Sequence, residues 1–153
     1  RLFIIGAVHI AQALVSLAEI ADYEVILIDP RDHFATKDRF PNCKIINEWP
    51  EQALSNFDLD KASHLVTLTH DPKIDDLALI YCMKKKIGYI GSLGSKKTHN
   101  KRCERLVEKG FNKDELSKIH GPIGLDIKAK TPAEIATSIL AEIIKYRRSN
   151  YGK

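Results

Sequence analysis

The sequence predicts an α/β domain of three layers: a doubly wound, mostly parallel sheet with helices on both faces. Three observations carry that expectation. Short apolar runs alternate with longer segments of helical period along the whole chain. The run His64–Leu68 is apolar-rich and unbroken, as in a parallel strand covered on both sides. The opening run Leu2–Ile5 enters Gly6 directly, and a helical pattern begins just behind it.

Taken in order, residues 2–5 read as a strand and 9–20 as a helix with Ile10, Ala11, Leu14, Leu17 and Ala18 on one face. Residues 24–28 read as the second strand. Pro30 to Pro41 is irregular and holds Arg31, Asp32, Phe34, Arg39 and Phe40. A short strand at 43–46 and a helical turn at 51–54 lead to the strand at 64–68. Thr69-His70-Asp71-Pro72 then interrupts the chain, because no helix crosses such a proline. Residues 75–85 are helical, and Tyr89-Ile90 is a short strand. Gly91-Ser92-Leu93-Gly94-Ser95 leads into a basic helix over 96–109, which Gly110 ends. Asn112–Glu115 and Thr131–Glu134 have capping-box spacing, the second opening a helix over 132–147. The stretch 119–127 lacks period. It reads either as a rigid connector whose Ile123 and Leu125 plug the core, or as a loop reaching over the strand ends.

A length of 153 residues suits a single domain, and 44% hydrophobic with 29% charged residues is ordinary for a globular chain. A net charge of +4 with dispersed cations does not point to nucleic acid. No apolar run approaches the ~20 residues that span a bilayer, and no signal-peptide pattern is visible. Cys43, Cys82 and Cys103 are odd in number and lack metal spacing, which suits structural thiols in a reducing, cytoplasmic setting. The histidines form no metal-binding pair. With Arg at position 1 and a strand beginning at residue 2, the chain reads as part of a longer protein.

Ligands of open parallel sheets sit beyond the carboxyl ends of the strands. Four strand ends contribute polar residues there: Gly6 and His9; Asp29, Arg31 and Asp32; Thr69, His70 and Asp71; Gly91, Ser92, Gly94, Ser95 and Lys96. Asp29 follows Gly6 by 23 residues, near the spacing of the acid that meets a ribose in dinucleotide folds. Val8, however, replaces the second glycine of that signature. Gly91–Ser95 with Lys96 and Lys97 reads either as an anion seat or as a turn in which Ser95 caps the following helix. His70 beside Asp71 reads either as an acid–base pair or as a turn capped by Asp71.

In this order, certain segments resemble the XdhC/CoxI family of xanthine dehydrogenase accessory proteins, specifically its C-terminal Rossmann-type domain. They are F-I-I-G-A-V-H-I-A-Q-A-L at 3–14, I-D-P-R-D-H-F-A-T-K-D-R-F-P at 28–41, L-T-H-D-P-K-I-D-D at 68–76 and Y-I-G-S-L-G-S-K-K at 89–97. With them go I-H-G-P-I-G-L-D-I at 119–127 and T-P-A-E-I-A-T-S-I-L-A-E-I at 131–143. The resemblance implies one Rossmann-like domain over 1–153, the C-terminal part of a longer protein. It implies transient binding of molybdenum cofactor in its molybdopterin form, delivery to a molybdoenzyme apo-subunit, work with a cysteine desulfurase, and a homo-oligomer. Cofactor contacts then fall to Gly6, His9, Asp29, Arg31, Thr69, His70, Asp71, Gly91, Gly94, Ser95 and Lys96, with no catalytic residue and no protein-held metal. An NAD(P)-binding oxidoreductase and a non-catalytic dimerisation or docking domain are the alternatives. The family pattern G-A-G-H has Val8 in place of its second glycine.

Overall fold

The computed structural model describes residues 1–151. Its elements in chain order are β1 (Leu2–Ile5), α1 (His9–Ile20), β2 (Val25–Ile28), β3 (Lys44–Ile46), α2 (Pro50–Leu54) and β4 (His64–Thr67). Then come α3 (Pro72–Met83), β5 (Tyr89–Ser92), α4 (Lys96–Glu108), α5 (Lys113–Leu116), β6 (Ile119–His120) and α6 (Pro132–Tyr151). The six strands form one sheet in the order β3-β2-β1-β4-β5-β6, and every pairing is parallel. This is the strand order of a Rossmann fold, which reverses direction between β1 and β4 and opens a crevice at their carboxyl ends.

Side-chain alternation along β1 divides the core. Leu2 and Ile4 join Ala11, Leu14, Ala18, Ile139 and Ile143 under α1 and α6. Phe3 and Ile5 join Leu54, Leu65, Leu79 and Leu106 under α2, α3 and α4. Helices therefore cover both faces, and β1, β2, β4 and β5 are buried along their whole length.

Several boundaries differ from the sequence expectation. The sheet is wholly rather than mostly parallel. The helix after β4 begins at Pro72 itself, because a first-turn residue needs no N–H partner and Asp71 caps it through the Lys73 amide. Residues 119–127 contain a sixth strand, two residues long and so too short to show a period. Beyond it the connector reading holds for Ile123, which is buried and donates its N–H to Ser92 O; Leu125 is only half-buried. Both capping boxes form.

At the opposite end of the sheet from the crevice, His64 is buried and its Nδ1 has no hydrogen-bond partner. Burial, and then nearby positive groups, lower its pKa from 6.5 to about 4. The unfolded chain therefore binds the proton first, and stability contributed by neutral His64 is lost as pH falls from about 6.5 to about 4. The loss is expected to reach roughly 2–3 kcal/mol. Asp75, raised to about 6 by burial, acts in the opposite sense between about pH 4 and 6. The histidine contribution is therefore read as the difference between wild type and His64→Phe in urea titrations at pH 7 and 4.5. Parallel pH profiles for the two proteins would remove it.

Candidate functional site

The site is the rim formed by the carboxyl ends of β1, β2, β4 and β5. At the end of β1, Gly6 has φ +112°, and a Cβ placed on it would stand 2.7 Å from Thr69 Cγ2 and 3.2 Å from the Thr69 nitrogen. Glycine here serves both the backbone conformation and the close approach of the turn after β4. Ala7 is held from two sides. Its N–H donates to Asp29 Oδ2 at 2.9 Å, and its carbonyl accepts from Arg39 Nη1 at 2.6 Å. Val8 then adopts extended backbone and gives α1 no side-chain cap, whereas Asp71, Ser95 and Asn112 cap α3, α4 and α5. The first N–H groups of α1, at the positive end of its dipole, thus face the switch point without a side-chain acceptor. His9 is exposed beside them.

Asp29 lies at the rim but is fully buried. Oδ2 accepts from the Ala7 N–H and Arg31 Nη2, and Oδ1 accepts from the Arg31 N–H and Nε, all at 2.9 Å. A carboxylate has about four acceptor positions, so these four bonds leave nothing for a ribose hydroxyl. Burial alone would raise its pKa, but hydrogen bonds from Arg31 and Ala7 outweigh that and hold the carboxyl below its usual range. Arg31 packs over the Phe34 ring at 4.4 Å and keeps 28% of its side chain exposed at the rim.

After β4, the chain turns around Asp75. Thr69 donates to Asp75 Oδ1 from its hydroxyl at 2.6 Å and its backbone N–H at 3.3 Å, and the His70 N–H donates to Oδ2 at 3.1 Å. His70 is thereby held exposed at φ +65°, a left-handed conformation uncommon outside glycine. Asp71 spends its carboxylate on the α3 cap. Of the two readings of this pair, the capped turn is the one formed.

After β5, Gly91 lies inside the strand, paired with Val66, and a Cβ there would strike Ile123 and the Tyr89 hydroxyl. It gives the 119–127 connector room to pack rather than lining the rim. Gly94 has φ +142° and meets Thr98, while Ser95 caps α4 through the Thr98 amide at 3.1 Å. Lys96 is exposed on the first turn of α4. The structure thus brings Gly6, His9, Arg31, Thr69, His70, Gly94, Ser95 and Lys96 to one rim, with Asp29 and Asp71 as its internal braces.

Three residues that shape the rim are not among those expected there from sequence: Arg39, Asp75 and Arg102. Arg39 Nη1 joins Ala7 O to Phe34 O, and its Nη2 donates to Gln12. Arg102 is buried on the inner face of α4, donates to Leu93 O at 2.8 Å, and meets His99 Nδ1 at 3.1 Å. The signal for it is the stripe His99, Arg102, Cys103, Leu106, the i, i+3, i+4, i+7 face of a helix.

The family model for the XdhC Rossmann domain matches residues 2–143. The chain belongs to the XdhC family. Among XdhC relatives, the chain is 34% identical over 149 residues to a probable xanthine dehydrogenase subunit of Bacillus subtilis, covering 97% of this chain and 43% of that protein. It is 31% identical over 147 residues to the molybdenum cofactor insertion chaperone PaoD of Escherichia coli, covering 96% and 40%. A crystal structure of a xanthine dehydrogenase from Bacillus halodurans superposes with a TM-score of 0.84 at 32% identity, over 98% of this chain and 43% of that one. The chain thus spans less than half the length of these XdhC relatives. No helix among the described residues is long and apolar enough to cross a membrane.

Proposed function

We propose that this XdhC domain binds molybdenum cofactor in its molybdopterin form at the strand-end rim. It holds the cofactor transiently, during sulfuration by a cysteine desulfurase, and passes it to the apo-subunit of a xanthine dehydrogenase-type molybdoenzyme. The setting is the cytoplasm, which the three free thiols suit, and the working form is a homo-oligomer. The observation that carries this reading is the N-terminus of α1, without a side-chain cap at the point where strand order reverses, in a chain similar to a named cofactor insertion chaperone. The contacts proposed are the α1 first turn with Gly6 and His9, then Arg31, Thr69, His70, Gly94, Ser95 and Lys96. Asp29 and Asp71 act by bracing the rim, and Gly91 by seating the connector behind it. The role proposed for this set is to hold and release the ligand, with no bond-making step assigned to it.

The same geometry weighs against nicotinamide dinucleotides. Asp29 has no acceptor left for a ribose, and Val8 puts a branched side chain where a pyrophosphate needs close backbone.

The purified domain, equilibrated with cofactor released from a molybdoenzyme, is expected to retain it on gel filtration as pterin fluorescence and molybdenum. NADH and NADPH are expected to elute separately. Retention of a nicotinamide and not of the pterin would overturn the proposal in favour of an oxidoreductase; retention of neither would favour a docking domain. Replacing exposed Lys96 and Lys97 together with alanine is expected to weaken cofactor binding about threefold, as loss of exposed charge pairs should, while the urea midpoint stays unchanged. Unaltered affinity would remove these lysines from the site.

A further inference from the structure

A small cavity of about 90 Å³ lies between the first turn of α3 and the first three turns of α4, with His70, Asp75, Thr98, Lys101 and Arg102 on its walls. It is about the volume of three waters at ~30 Å³ each, room for one tetrahedral oxyanion. Arg102 is 2% exposed, and its buried Nε–H has no partner. Among the described residues no carboxylate comes within ion-pair distance of it. Arg105, also on the wall, is bidentate to Asp76, and Asp75 is turned to Thr69 and His70.

A buried guanidinium N–H without a partner is costly. Asp75 and Asp76 attract Arg102 from a distance but neither pairs with it directly, and the cavity beside it offers room for a group that would. The walls carry three cations, Lys101, Arg102 and Arg105, against two acids, Asp75 and Asp76. Burial raises the carboxyl of Asp75 to about 6, so this wall residue loses its charge more readily than an ordinary carboxylate as pH falls toward 6.

We propose that this cavity is an oxyanion seat that takes one phosphate group, with Arg102 Nε and Lys101 Nζ as charged donors and Thr98 and His70 as further donors. If the domain holds molybdenum cofactor as proposed above, the occupant is the single phosphate of the pterin. The seat itself rests on Arg102 and its cavity and does not depend on that reading.

The test is a titration with inorganic phosphate, followed through amide and arginine Nε–Hε resonances, with a parallel titration of molybdenum cofactor. Phosphate is expected to shift the Arg102 Nε–Hε signal and the Thr98 and Lys101 amides. Lys101→Ala is expected to weaken phosphate about fivefold, and Arg102→Met by about tenfold or more, as removal of charge-assisted bonds does. The Arg102 resonance in the unaltered protein decides the matter even if Arg102→Met fails to fold. Shifts confined to Gly6–His9, or no shift at millimolar phosphate, would overturn the seat. Cofactor binding that ignores Lys101→Ala would overturn the assignment of the pterin phosphate to this seat while leaving the cofactor reading in place. Phosphate seated here with no binding of cofactor would uphold the seat and defeat that reading.

Discussion

Replacing Asp29 by alanine is expected to cost about 4 kcal/mol of stability, the largest single effect in this domain. The carboxylate is fully buried and accepts four hydrogen bonds, and three of these come from Arg31. Its removal leaves the Ala7 N–H without an acceptor inside the β1 turn and the guanidinium without its partner. Asp29→Asn preserves the shape but turns a donor toward one of these N–H groups, and is expected to cost about half as much. The depressed carboxyl pKa sets the pH dependence. Stability from this group is fully present above the ordinary carboxylate pKa and is lost as pH falls through the lower folded value. Urea unfolding at neutral pH and near pH 3 tests this. The wild-type advantage over Asp29→Ala should shrink in acid, and an advantage below about 1 kcal/mol at neutral pH would mean that Arg31 and Ala7 find other partners.

Gly6→Ala is expected to cost about 3 kcal/mol, from two sources that can be separated. The first is backbone strain at φ +112°, about 1–3 kcal/mol. The second is overpacking, since the new methyl lies 2.7 Å from Thr69 Cγ2, again about 1–3 kcal/mol. Thr69→Ser removes that methyl and keeps the hydroxyl bonded to Asp75. Adding it to Gly6→Ala should therefore return the overpacking share and leave the strain. A double variant no more stable than the single one would assign the whole cost to the backbone. Losing Gly6 should also displace the first turn of α1, so cofactor affinity should fall in both variants.

The sheet was legible because its signals are long or repeated: apolar strands at 2–5 and 64–68, helical stripes at 9–20 and 132–147, capping residues at Ser95, Asn112 and Thr131. β6 was not legible, because two residues carry no period. The location of the rim followed from strand ends alone, but the roles of its residues did not. Asp29 stood at the right spacing for a ribose, yet Arg31, two residues further on, folds back onto it. Gly91 looked like part of a turn because the extent of β5 is set by its ladder with β4 rather than by its own composition. Arg102 was concealed among the charges of α4, where a cation ordinarily marks a solvated face. Only its alignment with Leu106 tells otherwise.

The pairing of α1 with α6 bears on how the domain is made. Leu2 and Ile4 of the central strand share one apolar layer with Ala11 and Leu14, and also with Ala136, Ile139 and Ile143, more than 120 residues later in the chain. During synthesis the first strand of this domain emerges well before the helix that completes its cover. Until then that side of the sheet presents an oily surface to solvent, which invites association between nascent chains. Truncation within α6, or slow translation ahead of it, should therefore reduce soluble yield more than an equal loss from α5.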